Sequence, residues 1–281
     1  MRRALIFRKM SFIIPVVVLA LLFLAAIFAP LLAPYSPTKM SLTNRLLPPF
    51  FEDGGSTAHI LGTDKLGRDI LSRAIYGARI SLSVSLLVIF LTSSFGTIMG
   101  IIAGYTGGRL DAILMRITDV SLCFPALLVA MLLAVSLGPS FITVVLAMSI
   151  LGWAPYARLI RGEALKLSGS DFVAQAHIIG SSSLRIMIRH IFPNIINPLI
   201  IMMTLSVGML ILVESTLSYL GFGIPPPTPS WGSMVSDGRN LIDRAWWISF
   251  FPGLAIGFVV LSGNFLGDWL RDRLDPRLRQ L

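Results

Sequence analysis

Charged positions along the chain are clustered, and the stretches between them are almost wholly apolar. No Asp, Glu, Lys or Arg occurs between Lys9 and Lys39, between Arg79 and Arg109, between Asp119 and Arg158, or between Arg244 and Asp268. About 20 apolar residues rising 1.5 Å each cross roughly 30 Å of hydrocarbon, so each interval is long enough to span a bilayer as a helix. The third is interrupted by Gly138-Pro139-Ser140 and reads as two spans. A further run from Ile195 to Leu220 holds one acid, Glu214. The pattern predicts six helices, at roughly 11–33, 80–104, 120–137, 141–157, 195–219 and 246–267, and so an all-α polytopic membrane protein. Pro125 and Pro155 are expected to kink the spans that hold them. A cleavable leader has an apolar stretch of about 7–15 residues. The one following Met1–Met10 is longer, which predicts an uncleaved anchor.

Composition agrees with the pattern. Of 281 residues 55% are hydrophobic and 13% charged, with mean hydropathy +0.81. These values exclude a water-soluble globule and an intrinsically disordered chain. The net charge of +9 marks one face of a membrane rather than nucleic acid, because the basic residues are unevenly divided between the two sets of loops. One set holds 15 of the 23 and the other eight. The basic side of a membrane protein is cytoplasmic, so both termini are expected there. The chain then divides into a cytoplasmic N-terminus with the first helix (1–34), an external loop (35–79), a core of five helices (80–267) with a long cytoplasmic loop at 158–194, and a cytoplasmic tail (268–281). Cys123 is the sole cysteine, so no intramolecular disulfide can form.

Long loops in compact proteins are functional or disordered, and three stand out: 35–79, 158–194 and 221–245. The cytoplasmic one is patterned for two short helices. Ser170 can cap the first, through Phe172–Ile179, Gly180 suits its end, and Ser182 or Ser183 can cap the second. In the second, Leu184, Met187, Ile188 and Ile191 recur at helical spacing, with Arg185 and Arg189 on another face. Such a helix either lies on lipid or has an apolar partner.

At this loop the sequence resembles the integral-membrane permeases of bacterial and archaeal ABC importers, in the dipeptide, oligopeptide and nickel group. Ala174-Gln175-Ala176, Gly180 and His190-Ile191-Phe192-Pro193 stand at the spacing of that family's cytoplasmic motif, with Ala174 and Gln175 replacing its usual acid and alanine. The resemblance extends through Leu61-Gly62-Thr63-Asp64, Gly67-Arg68-Asp69, Ser72-Arg73, Gly77 and Arg79-Ile80-Ser81-Leu82. It continues in Leu217-Ser218-Tyr219-Leu220-Gly221-Phe222-Gly223, Pro226-Pro227-Thr228-Pro229-Ser230-Trp231-Gly232, and Gly267-Asp268 through Leu278. It is similar to the second of two paired permeases and covers the chain from about residue 15 onward.

The resemblance implies a type I importer permease fold in the bacterial or archaeal inner membrane. The partners it implies are a homologous permease forming a heterodimer, two cytoplasmic ATPases and an external or periplasmic substrate-binding protein. The implied cargo is di- or oligopeptides, with nickel or another small solute as the alternative. Asp171, Phe172, Ala174, Gln175, Ala176, Gly180, Arg185, Arg189, His190 and Pro193 would then form the ATPase-coupling loop, with Ala176 and Gly180 allowing close approach. The chain has no Gly-x-x-x-x-Gly-Lys-Ser/Thr, so ATP and Mg are expected on partner subunits and no cofactor on this one.

Glu214 is costly inside a span and is a functional candidate for that reason. A structural or gating role, substrate contact and proton coupling all stand open; the last would make the chain a secondary transporter. Asp64, Arg68, Asp69, Arg73 and Arg79 could dock a binding protein or pair with one another. Trp231, Trp246 and Trp247 read as interfacial anchors.

Overall fold

The computed structural model describes residues 2–274, with side chains from Phe12 onward. The side chains of the basic N-terminal residues and the end of the tail, 275–281, lie outside that description. Helix α1 (Arg2–Ile27) is followed by the short α2 (Ala29–Leu32) and a segment held mostly by turns, and then by α3 (Ile70–Thr106), α4 (Gly108–Cys123), α5 (Ala126–Leu137), α6 (Phe141–Gly152), α7 (Ala154–Ser168), α8 (Asp171–Ile178), α9 (Ser183–Ile186), α10 (Phe192–Tyr219), α11 (Trp231–Gly238) and α12 (Trp247–Leu274). Among the described residues there is no strand, only an isolated bridge between Thr63 and Asp69.

Four helical stretches are long and apolar enough to cross a membrane: Ile70–Thr106, Phe141–Ser168, Ser183–Tyr219 and Trp247–Leu274. The pair α4 and α5, bent by 80°, makes a fifth if taken as one broken span, and the apolar stretch Phe12–Ile27 is shorter. The protein is therefore an all-helical multi-pass membrane protein, with boundaries that depart from the sequence pattern at four places.

Helix α3 begins ten residues before the expected span because Asp69 caps it, accepting from the backbone N–H of Ser72 at 2.8 Å and from its hydroxyl at 2.7 Å. Arg73 and Arg79 therefore stand on α3 and not in the preceding loop. At about 55 Å, 37 residues of helix exceed the hydrocarbon thickness. Pro125 separates α4 from α5, and Phe124 before it is extended at ψ 133, as a residue preceding proline prefers. Pro155 sits in the first turn of α7, where its missing N–H costs no hydrogen bond. The second loop helix is not separate from the span that follows: α9 passes through a π-helical turn, Met187–Ile191, directly into α10.

Helix α3 is central, lying along α7 and against α10, α1 and α6, while α12 packs on α10, α1 and α11. Its seam with α7 is set by Gly96, Gly100 and Gly104. A Cβ on Gly100 would come within 2.7 Å of the Ala157 carbonyl and 2.8 Å of Ile160 Cβ; one on Gly104 would meet Ala164 Cβ at 2.8 Å. Small residues every fourth position bring the two backbones together, which is how helices gain packing energy in lipid, where apolar contact alone gives no advantage.

Candidate functional site

Helix α8 lies across one end of the bundle. Val173 and Ala176 are its buried side, packed with Ile101, Ile160, Ala164, Ile186, Ile191 and Ile195. This corrects the expectation for Ala176, which at 6% exposure faces the bundle and offers no contact surface to a partner. Asp171, Phe172, Ala174, Gln175 and His177 are exposed, and His177 Nε2 lies 3.2 Å from the Tyr105 hydroxyl at the end of α3 with the two rings nearly parallel. Ser170 occupies the cap position, but its hydroxyl donates back to the Leu167 carbonyl at 2.5 Å and caps nothing.

The end of α8 is tightly specified. Gly180 has φ +84, its N–H donates to the His177 carbonyl at 2.9 Å, and that of Ser181 to Ala176 at 3.0 Å. This is the paired capping pattern that closes a helix on a left-handed residue. No atom lies within 4 Å of a Cβ built there, so glycine is required by conformation and not by space.

Beyond it the π-helical turn changes which residues face inward. The buried positions are Ile186, Ile191 and Ile195, spaced five and four apart, whereas Leu184 and Ile188 are exposed. Pro193 supplies a reason for the widened turn, because a proline cannot donate to the carbonyl four residues earlier and its ring crowds that carbonyl. Arg185, Arg189 and Pro193 are exposed, and His190 is half-buried with its carbonyl accepting from Asn194 Nδ2 at 2.7 Å. The outcome is two sets of exposed apolar residues: Phe172, Ile178 and Ile179 on α8 and its end, the last two more than 80% exposed, and Leu184 and Ile188, which border a cleft with α3 and α10.

At the opposite end the charged cluster is a buried network. Asp64 accepts from the backbone N–H groups of Leu66 (2.8 Å) and Arg68 (2.9 Å), from Arg68 Nε (2.6 Å) and from Arg73 Nη1. Asp237 of α11, which the sequence reading passed over, joins both arginines at 3.3–3.4 Å and Lys65 at 2.7 Å. Burial raises the Asp237 pKa, but the hydrogen bond from Lys65 and the charges of Arg73, Lys65 and Arg68 outweigh it and leave the carboxyl below its ordinary value. His59 Nδ1 reaches the capping Asp69 at 3.0 Å. Asp64, Arg68, Asp69 and Arg73 are thus self-paired and at most 4% exposed, so they present no charged surface for docking. Arg79 alone of the five is exposed. The tryptophans are likewise internal ties: Trp231 and Trp247 are buried, donating to the carbonyls of Ala74 (2.9 Å) and Thr63 (3.0 Å), and the half-buried Trp246 donates to Glu52 at 2.8 Å.

Glu214 is fully buried between these ends. Its carboxylate accepts from Ser81 on α3 at 2.9 Å and from Ser218 on α10 at 2.8 Å. Ser230 at the start of α11 donates to Ser218 at 3.3 Å, and the Trp231 N–H lies 3.4 Å from Ser81 Oγ. Hydroxyls therefore bond a buried carboxylate where three helices meet.

The sequence pattern of the binding-protein-dependent transport system inner membrane component family matches residues 96–280, and that of the N-terminal TM domain of oligopeptide transport permease C matches residues 5–49. The dipeptide transport system permease of Haemophilus influenzae is 42% identical over 257 residues, 92% of this chain and 87% of the relative. The corresponding Escherichia coli protein is 43% identical over 273 residues, 97% and 91% of the two chains. A probable D,D-dipeptide transport system permease of Escherichia coli is 40% identical over 261 residues, 93% and 86%. With one family pattern spanning most of the sequence and relatives at this identity aligned nearly end to end, the chain belongs to the inner-membrane components of binding-protein-dependent transport systems.

Proposed function

We propose that this chain is one half of the translocation pathway of an ATP-driven peptide importer, paired with a homologous permease, supplied by an external binding protein and driven by two cytoplasmic ATPases that hold the ATP and Mg. The relatives' names supply peptides as cargo. The end bearing α8 is the cytoplasmic one in this reading, as the division of basic residues favours. Helix α1 together with α2 is a sixth span, since the interval between Lys9 and Lys39 holds no charged residue and is long enough to cross. The chain itself is non-catalytic and binds no cofactor.

The observation that carries the reading is the exposed apolar set Phe172, Ile178 and Ile179 of α8 and its end, backed by the buried Val173 and Ala176 that fix the helix to α7 and α10. An amphipathic helix lodged in a groove of a partner needs both features. Asp171, Phe172, Ala174, Gln175, Arg185 and Arg189 flank that contact, while Gly180, His190 and Pro193 shape it. Glu214 is a structural latch between α3, α10 and α11, because its partners are serine hydroxyls, which favours that role over proton coupling.

Ile178→Asp and Gly180→Val test the reading in the assembled transporter. The first puts a charge where the ATPase surface is apolar, and the second forbids the left-handed turn. Each is expected to insert normally yet release the ATPases or uncouple hydrolysis from uptake. Full association and coupling in both variants would refute it.

A further inference from the structure

The loop that carries α8 joins two helices, α7 and α10, and those helices part to form an open cleft of about 810 Å³ with α12 along its third side. We infer that this cavity is a subsite for a short zwitterionic peptide on the α8 side of the pathway, recognising both peptide termini. The inference rests on the peptide-importer reading and assigns residues to it.

The chemistry of the lining carries it. Lys166 and Arg271 supply two cations, Glu163 one carboxylate and Asn197 an amide, over a floor that includes Leu159, Met202 and Leu205. A free peptide presents a carboxylate, an ammonium, an amide bond and variable side chains, and each has a counterpart here. The volume is that of a small-ligand pocket, roughly 300–1,000 Å³. Lys166 and Glu163 pair at 2.7 Å with side chains 69% and 31% exposed. An exposed pair of that kind is worth little and opens readily to exchange partners. Glu163 offers a carboxylate to an ammonium beside the two cations, a pairing that a zwitterion uses and a purely anionic headgroup leaves unused.

Position couples the subsite to the ATPases. Lys166 lies two residues before the end of α7 at Ser168, and Asn197 lies in the second turn of α10. The loop between those helices holds α8, so displacement of α8 changes the separation of the cavity's two walls. Helix α7 is clamped to α3 through the glycine seam and α10 is seated on α12, so the two walls separate between α7 and α10.

The test uses the complete transporter in proteoliposomes. Binding-protein-dependent movement of radiolabelled alanyl-alanine checks the importer reading on its own. Occupancy is read from labelling of Met202→Cys, in a Cys123→Ala background, by an impermeant maleimide applied on the ATPase side, with Leu205→Cys as a second reporter. Millimolar alanyl-alanine should slow labelling, and its N-acetylated, C-amidated form should not. Arg271→Gln and Glu163→Gln should each raise the half-protecting concentration about tenfold or more. Unprotected labelling of both reporters in vesicles that still transport, or equal protection in the parent and both charge variants, would overturn the subsite. Protection that tracks the anionic-lipid content of the vesicles would assign it to lipid and overturn it equally. Vesicles that move no peptide would refute the importer reading and the subsite with it.

Discussion

Asp64→Asn separates a buried staple from a docking surface. The substitution keeps the shape of the side chain and removes the charge that Arg68 and Arg73 share. Both guanidiniums are less than 5% exposed. Asp237 is the carboxylate left to them, at 3.3–3.4 Å, with a side chain 24% exposed and already engaged by Lys65. Removing one partner of a buried ion pair costs about 3–5 kcal/mol, because a charge is left desolvated and uncompensated. Here two charges lose their nearer partner, so the upper part of that range is expected. Asp237→Asn leaves Asp64 in place and should cost less, about 1–3 kcal/mol. Thermal melting of the purified assembly, followed by size-exclusion chromatography of heated samples, reads both. A melting temperature unchanged by Asp64→Asn, together with weakened affinity for the binding protein, would refute the staple and restore the docking role.

Two further outcomes follow from the geometry. The Asp237 carboxyl is held below its ordinary value, so its contribution to stability is complete above the unfolded pKa near 4 and is lost as pH falls through the lower folded value; the difference in melting temperature between parent and Asp237→Asn should therefore shrink on acidification below about pH 4 and stay constant above about pH 5. Gly100→Val should destabilise by about 1–3 kcal/mol or more, since backbone atoms of Ala157 and Arg161 stand within 2.9 Å of the new Cβ and cannot rotate aside; Gly162→Ala, which meets nothing within 4 Å, is the matched control and should melt no lower than the parent.

The apolar intervals located the four long apolar helices because charge is excluded from lipid whatever the tertiary fold. The boundaries failed where charge is neutralised locally. Arg73 and Arg79 marked a loop by their type, yet Arg73 is paired within the protein and Arg79 stands exposed on one face of a helix that Asp69 had already begun. The same limit hid Asp237, whose partners are about 170 residues away in sequence and are brought together by the packing of α11 on α12 and α3. In the loop, Gly180 was legible because a left-handed helix end has a residue signature. The buried face of the second helix was legible only in part, since a period of 3.6 selects Leu184, Met187, Ile188 and Ile191, of which Ile191 is buried and Met187 packs against it, while the π-helical turn exposes Leu184 and Ile188 and brings in Ile186 and Ile195. The four-residue repeat Gly96, Gly100, Gly104 was open to reading and marks the α3–α7 seam.

These contacts place both ends of the molecule on one rod. Helix α3 carries Asp69 and Arg73 at the network, Ser81 at the Glu214 latch, the glycine seam to α7, and Tyr105 against His177 of α8. From Ser81 to Tyr105 is 24 residues, about 36 Å of helix with no proline to absorb a bend. Tyr105 therefore ties α8 to the same continuous helix that carries Ser81. At Glu214 on that path Ser81, Ser218 and the first turn of α11 meet within hydrogen-bonding distance. Hydrogen bonds are short-ranged and directional, so a shift of about 1 Å breaks some and leaves others intact.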